Sequence, residues 1–138
     1  MARGEQIITS PEGEEYRILY TNRALAEAEK ACGKPVMAVL QDLVEWFESA
    51  KATESLGTAG EISVTVLGNL LRTGLDAARM ANREGGKGIS LNTAYRIMDE
   101  VGTFEVIGPI LLGILEALGL GDEAADDIDE DGDSGPNG

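Results

Sequence analysis

Histidine is absent from this 138-residue chain, cysteine occurs once, and the aromatics are one Trp, three Tyr and two Phe. Without histidine there is no imidazole acid–base relay, no His-containing catalytic triad and no Cys/His zinc site. A lone cysteine forms no intramolecular disulfide. Carboxylate pairs could still do acid–base work, but no two acids stand out on a shared apolar wall, so the chain is expected not to be an enzyme. Long hydrophobic runs are lacking too. The uncharged stretch Val106–Leu115 is ten residues, half of the roughly 20 that a membrane-spanning helix requires. No cationic segment followed by an apolar one opens the chain, and a cytosolic protein is expected. Basic residues are scarce: 11 Lys and Arg against 25 Asp and Glu leave a net charge of −14. A surface of that sign does not seek phosphate backbones, which argues against nucleic-acid binding.

The acidity is concentrated at one end. Residues 122–138 hold eight acidic side chains and no basic one, so residues 1–121 carry only −6 of the −14. That Gly-rich, acidic end is expected to be a disordered tail that keeps copies apart. The remainder suits one domain, a mostly helical α+β fold in which a hairpin precedes four or five helices. The runs EQIIT and EYRILY flank a Pro/Gly turn and predict a β-hairpin over 5–20, with Tyr16, Ile18 and Tyr20 on its more apolar face. Two strands alone are marginal and need helical cover. Thr21 or Asn22 can cap a helix over about 22–32, with Gly33 as its stop. A second helix, about 35–51, lines up Val36, Leu40, Leu43 and Phe47, with Met37, Val44 and Trp46 widening the stripe. Beyond a small, polar linker, the periodicity predicts helices over about 62–82 and 91–101. A last one, 104–119, contains Pro109 and should kink or restart near residue 108.

Three motifs invite a chemical reading. Asp127, Asp129 and Asp131 followed by Gly132 match the first half of a calcium loop, but position twelve is Gly138 where a bidentate glutamate belongs. They are weak calcium candidates, better read as a solvated tail. Gly85, Gly86, Lys87 and Gly88 hint at a phosphate loop. However, Ala81 replaces the first glycine, Gly88 replaces the magnesium-holding hydroxyl, and a helix precedes where a strand should. Cys32 lies near a helix C-terminus, where the dipole disfavours a thiolate. No cofactor is expected.

The last helix is the most unusual element. Phe104, Ile107, Leu111, Ile114 and Leu118 make one stripe, and Val106, Ile110, Leu112 and Ala117 add apolar residues on other faces. A helix apolar nearly all round is either central in the core or covered by a partner. In so small a domain, full enclosure by its own chain is difficult.

The order of these parts resembles a known family. A strand over Glu15–Tyr20 runs into Ala24-Leu25-Ala26-Glu27-Ala28-Glu29, ended by Gly33. Then come Leu70-Leu71-Arg72-Thr73-Gly74-Leu75, a Gly-rich loop, a helix over Asp99-Glu100-Val101-Gly102, and the apolar last helix. Across residues 5–120 this is similar to the tail assembly chaperones of long-tailed bacteriophages, in particular the branch found in gene transfer agents. The resemblance implies a protein that coats the tape measure protein, brings tail tube subunits to it in the host cytoplasm, and is absent from the mature virion. Such a role needs an apolar groove for another chain's helices. Leu67 and Leu71, with Phe104, Ile107, Ile110, Leu111, Ile114 and Leu115, are the residues expected to supply it. The hairpin's edges could also pair with a second copy, giving a homo-oligomer. The competing expectations are a tail or head–tail connector protein retained in the virion, and an acidic DNA mimic.

Overall fold

The computed structural model describes residues 5–52, 62–83 and 85–120. The acidic tail falls outside them. Strands β1 (Glu5–Thr9) and β2 (Glu15–Leu19) form a two-stranded antiparallel sheet pairing Glu5 with Leu19 and Thr9 with Glu15. The turn closes on itself. Ser10 N–H donates to the Glu14 carbonyl at 2.8 Å, and the Ser10 hydroxyl accepts from Glu14 N–H at 3.0 Å, which accounts for a buried serine. Gly13 has φ 96°, a conformation a side chain would resist. Ile8, Ile18 and Tyr20 are enclosed on the expected face. Leu19, on the other face, is buried as well.

Five α-helices follow: α1 (Asn22–Cys32), α2 (Val36–Ala52), α3 (Val64–Ala81), α4 (Leu91–Val101) and α5 (Ile107–Ala117), the last preceded by a 3-10 turn over Phe104–Val106. Short hydroxyl side chains start three of them. Thr21, Ser63 and Ser90 each accept a first-turn amide, at 3.1 Å in every case. Gly33, at φ 77°, ends α1 and donates back to the Glu29 carbonyl. The Glu29 carboxylate then accepts the Val36 amide at 2.7 Å, so one side chain ties the end of α1 to the start of α2. Pro109 falls in the first turn of α5, where its missing amide has no intrahelical partner to lose. The apolar run therefore restarts at residue 107, one residue from the expected point.

The central helix is α3. It packs against β2, α1, α4 and α5, and Leu67, Leu70, Leu71, Thr73, Gly74 and Ala78 are buried along it. Two glycines permit the closest approaches. A methyl group at Gly74 would lie 2.8 Å from the Tyr20 hydroxyl, and one at Gly68 would meet the Tyr95 ring. Tyr20 donates to the Leu70 carbonyl at 2.6 Å, and Thr73 donates to the same oxygen at 3.0 Å. Both buried hydroxyls are thereby satisfied. Burial pushes the Tyr20 phenol far above its ordinary range.

Candidate functional site

Of the eight residues expected to line a groove, six belong to the core of the chain itself. Leu67, Leu71, Ile107, Ile110 and Ile114 expose nothing, and Leu111 is buried beside them. They form the α3–α5 interior, so they are unavailable to another polypeptide while the fold is intact. The physical reason lies in the packing: α5 lies against β1, α2, α3 and its own 3-10 turn, and its main stripe is used up on them. Only Phe104, 45% exposed, and the half-buried Leu115 reach the surface.

Apolar surface remains elsewhere on the same helix, on α2, and towards the two ends of α3, where Val64 and Met80 are exposed. Leu112 is 51% exposed on α5; Met37 and Val44 are 51% and 39% exposed on α2. Met37 and Val44 are seven residues apart, and Val44 and Phe47 three, so all three share one side of α2. Phe104, Gly108 and Leu112 recur every four residues through the 3-10 turn into α5. The two rows meet where the Phe47 ring approaches Gly108, at 3.4 Å from where a side-chain carbon would sit. Both phenylalanines of the chain thus belong to this seam.

Its surroundings are acidic. Glu45 and Glu48 on α2 and Glu105 in the 3-10 turn are exposed and take part in no ion pair among the described residues. Residues 104–120 contain no Lys or Arg, and Lys34, at the approach to α2, is engaged by Asp42. Chemically, the seam can bury apolar side chains of another chain and attract cations around them.

A second open feature runs along β1. The bond from Ser10 N–H to Glu14, one residue beyond the last strand pair, sets the alternation of the ladder. Ile8 and Gln6 therefore point their backbone groups at β2, whereas Ile7 and Thr9 point theirs outward. No backbone hydrogen bond to another described segment involves Ile7 or Thr9. A groove walled by Ile7, Pro11, Val101, Glu105 and Pro109 adjoins this edge.

The remaining polar clusters are structural. Asp76 accepts from Arg79 at 3.0 Å and from the Ile89 amide at 3.1 Å, and Arg79 also reaches the Gly86 carbonyl. The glycine loop is thus pinned to α3 as a connector. A cleft beside β2 is lined by Arg17 and Arg79, but Arg17 is held by Glu5 at 2.9 Å and Arg79 by Asp76. Tyr16 donates to Glu100 at 2.6 Å, a bond that raises its phenol pKa. Burial raises the half-buried Cys32 thiol. Trp46 is buried. The calcium candidates Asp127, Asp129 and Asp131 lie outside the described residues, and among those described no group of three or more His, Cys, Asp or Glu could hold a metal. No described helix is long and apolar enough to cross a membrane.

Family models, curated proteins and solved structures yield no match to this chain.

Proposed function

We propose that this chain is a tail assembly chaperone that works by binding and not by catalysis. It holds helical segments of the tape measure protein during virion assembly and helps recruit tail tube subunits to them. The observation that carries this reading is the exposed apolar seam of α2 and α5, added to the order of elements that resembles the family. A holding protein needs such a surface, and it needs to let go, which favours a partly exposed seam over a deep cavity. The open edge of β1 would let copies line up along an extended client, as a homo-oligomer. The site of action on this reading is the host cytoplasm, and the mature particle lacks the protein.

Co-production with a tape measure protein of a long-tailed phage tests the reading. Capture is expected from the native chain and lost from a Met37→Asp, Leu112→Asp double variant that keeps its helical circular dichroism. Equal capture by both would remove the seam from the mechanism. Mass spectrometry of purified particles separates the chaperone from a structural tail component, because only the latter is retained.

A further inference from the structure

Strand β1 leaves one side of its backbone open, and a groove runs beside that side. The amides and carbonyls of Ile7 and Thr9 point away from β2, and neither residue bonds to another described segment. Pro11 has no amide to donate and closes the edge at the turn. The groove opens to about 670 Å³, within the roughly 300–1,000 Å³ of ordinary ligand sites. Ile7, Val101 and Pro109 give it apolar walls and Glu105 an acidic one. Glu105 is exposed and takes part in no ion pair among the described residues.

Edge and groove together suit an extended segment better than a helix or a folded copy. A helix satisfies its own backbone and has nothing to give the amides of Ile7 and Thr9. A second copy can offer its own β1, but that strand arrives with α5 packed against it. Packed helices lie 8–10 Å apart and paired strands under 5 Å, so the helical layers of two copies crowd the groove. A lone segment carries no such layer. It can pair with the edge and turn alternate side chains into the groove. The spacing fits as well. Glu105 and Pro109 are four residues apart along the 3-10 turn and the start of α5, roughly 6–8 Å along the axis. Alternate residues of a strand are about 7 Å apart, so one side chain can lie by Pro109 while the next on that face reaches Glu105. An unpartnered carboxylate on a chain of net charge −14 selects a cation there.

We propose that the outer edge of β1 accepts an extended, basic segment of another polypeptide as a third strand. Its backbone pairs with Ile7 and Thr9, an apolar side chain enters the groove beside Val101 and Pro109, and a lysine or arginine two positions away meets Glu105. This site is separate from the α2–α5 seam, and its test involves no tail assembly protein.

The probes are capped eight-residue peptides alternating valine and threonine, with one central valine replaced by lysine or by glutamate. They are titrated into the full chain by calorimetry. The lysine peptide should bind at least tenfold more tightly than the glutamate peptide, and less tightly as salt is raised. N-methylation of alternate backbone amides separates strand addition from loose attraction. Methyl groups on one parity should abolish binding, and on the other should leave it intact. Hydrogen exchange at the Ile7 and Thr9 amides should slow at least tenfold in the complex. Ile7→Pro should lose the peptide while keeping its helical circular dichroism, and Glu105→Gln should lower affinity for the lysine peptide at least threefold. Equal affinity of the lysine and glutamate peptides would overturn the contact with Glu105. Equal effects of the two methylation patterns would overturn strand addition. Exchange at Ile7 and Thr9 that slows with chain concentration, and that the peptide leaves unaltered, would assign the edge to a second copy and overturn the proposal. No binding of any peptide up to about 1 mM would overturn it as well.

Discussion

Tyr20 and the glycine beneath it set the tightest constraint in the core. The ring is enclosed and its hydroxyl is fixed on the Leu70 carbonyl, so it cannot yield to a new methyl group at Gly74, which would also lie 3.1 Å from the Ile18 Cβ. Gly74→Ala should destabilise the chain by about 1–3 kcal/mol, typical of overpacking, in spite of better helix propensity. Gly68→Ala should cost less, because the Tyr95 ring it meets is only half-buried and can swing aside. Chemical denaturation of the pair checks the order; a reversed order would contradict this view of the core. The same phenol governs alkaline stability. Above pH 10, the ordinary value for tyrosine, the unfolded chain releases this proton while the folded chain keeps it. The folded state then binds more protons, and stability falls by up to about 1.4 kcal/mol per pH unit. Tyr20→Phe should lose about 1 kcal/mol at neutral pH, limited because Thr73 still donates to Leu70, yet show a flatter decline above pH 10. An unchanged alkaline slope in denaturation curves at pH 8 and 11 would refute that assignment. Legibility at this scale was uneven. Ile18 and Tyr20 showed themselves by alternation, and Cys32 and Trp46 read as packing residues, but nothing in the sequence tells that Gly74 sits under Tyr20, since that pairing spans 54 positions.

Elements were the most legible level, because caps and breakers act locally. Thr21, Gly33, Ser90 and Gly102 punctuate α1 and α4 as their chemistry requires, and β1 and β2 follow the alternation of their residues. The start of α3 was harder. Its β-branched residues weaken helix propensity, and Ser63 supplies the cap that overrides them. What a helix faces was least legible. The stripe Ile107, Leu111, Ile114 has one periodicity whether its cover is α3 or another protein, so periodicity alone placed core residues at a partner surface. Position outside the main stripes did not separate surface from core either: Met37, Val44 and Leu112 are exposed, but Trp46, Val106 and Ile110 are buried, and Phe104 on the main stripe is exposed. For the hairpin, the outward amide of Ile7 permits a clean test. Ile7→Pro removes no β1–β2 hydrogen bond, so the fold should persist while pairing through the β1 edge is lost. If sedimentation shows native oligomers that are unchanged in Ile7→Pro, the edge is not what joins the copies.

At the scale of the whole molecule, one division of labour accounts for the surface. The hairpin, α2, α3 and the 3-10 turn enclose most of α5, and the side they do not cover joins α2 in an exposed seam with acids around it. The net charge of −14 opposes close approach of two copies. The most direct measurement is photocrosslinking in particle-producing cells. A photoreactive residue is placed at Leu112, with a control at the exposed Asn92 of α4, and the adducts are identified by mass spectrometry. Position 112 should yield a long helical tail protein that position 92 does not. Adducts no more frequent at 112 than at 92, or formed only with other copies of the chain, would contradict a seam built for another polypeptide.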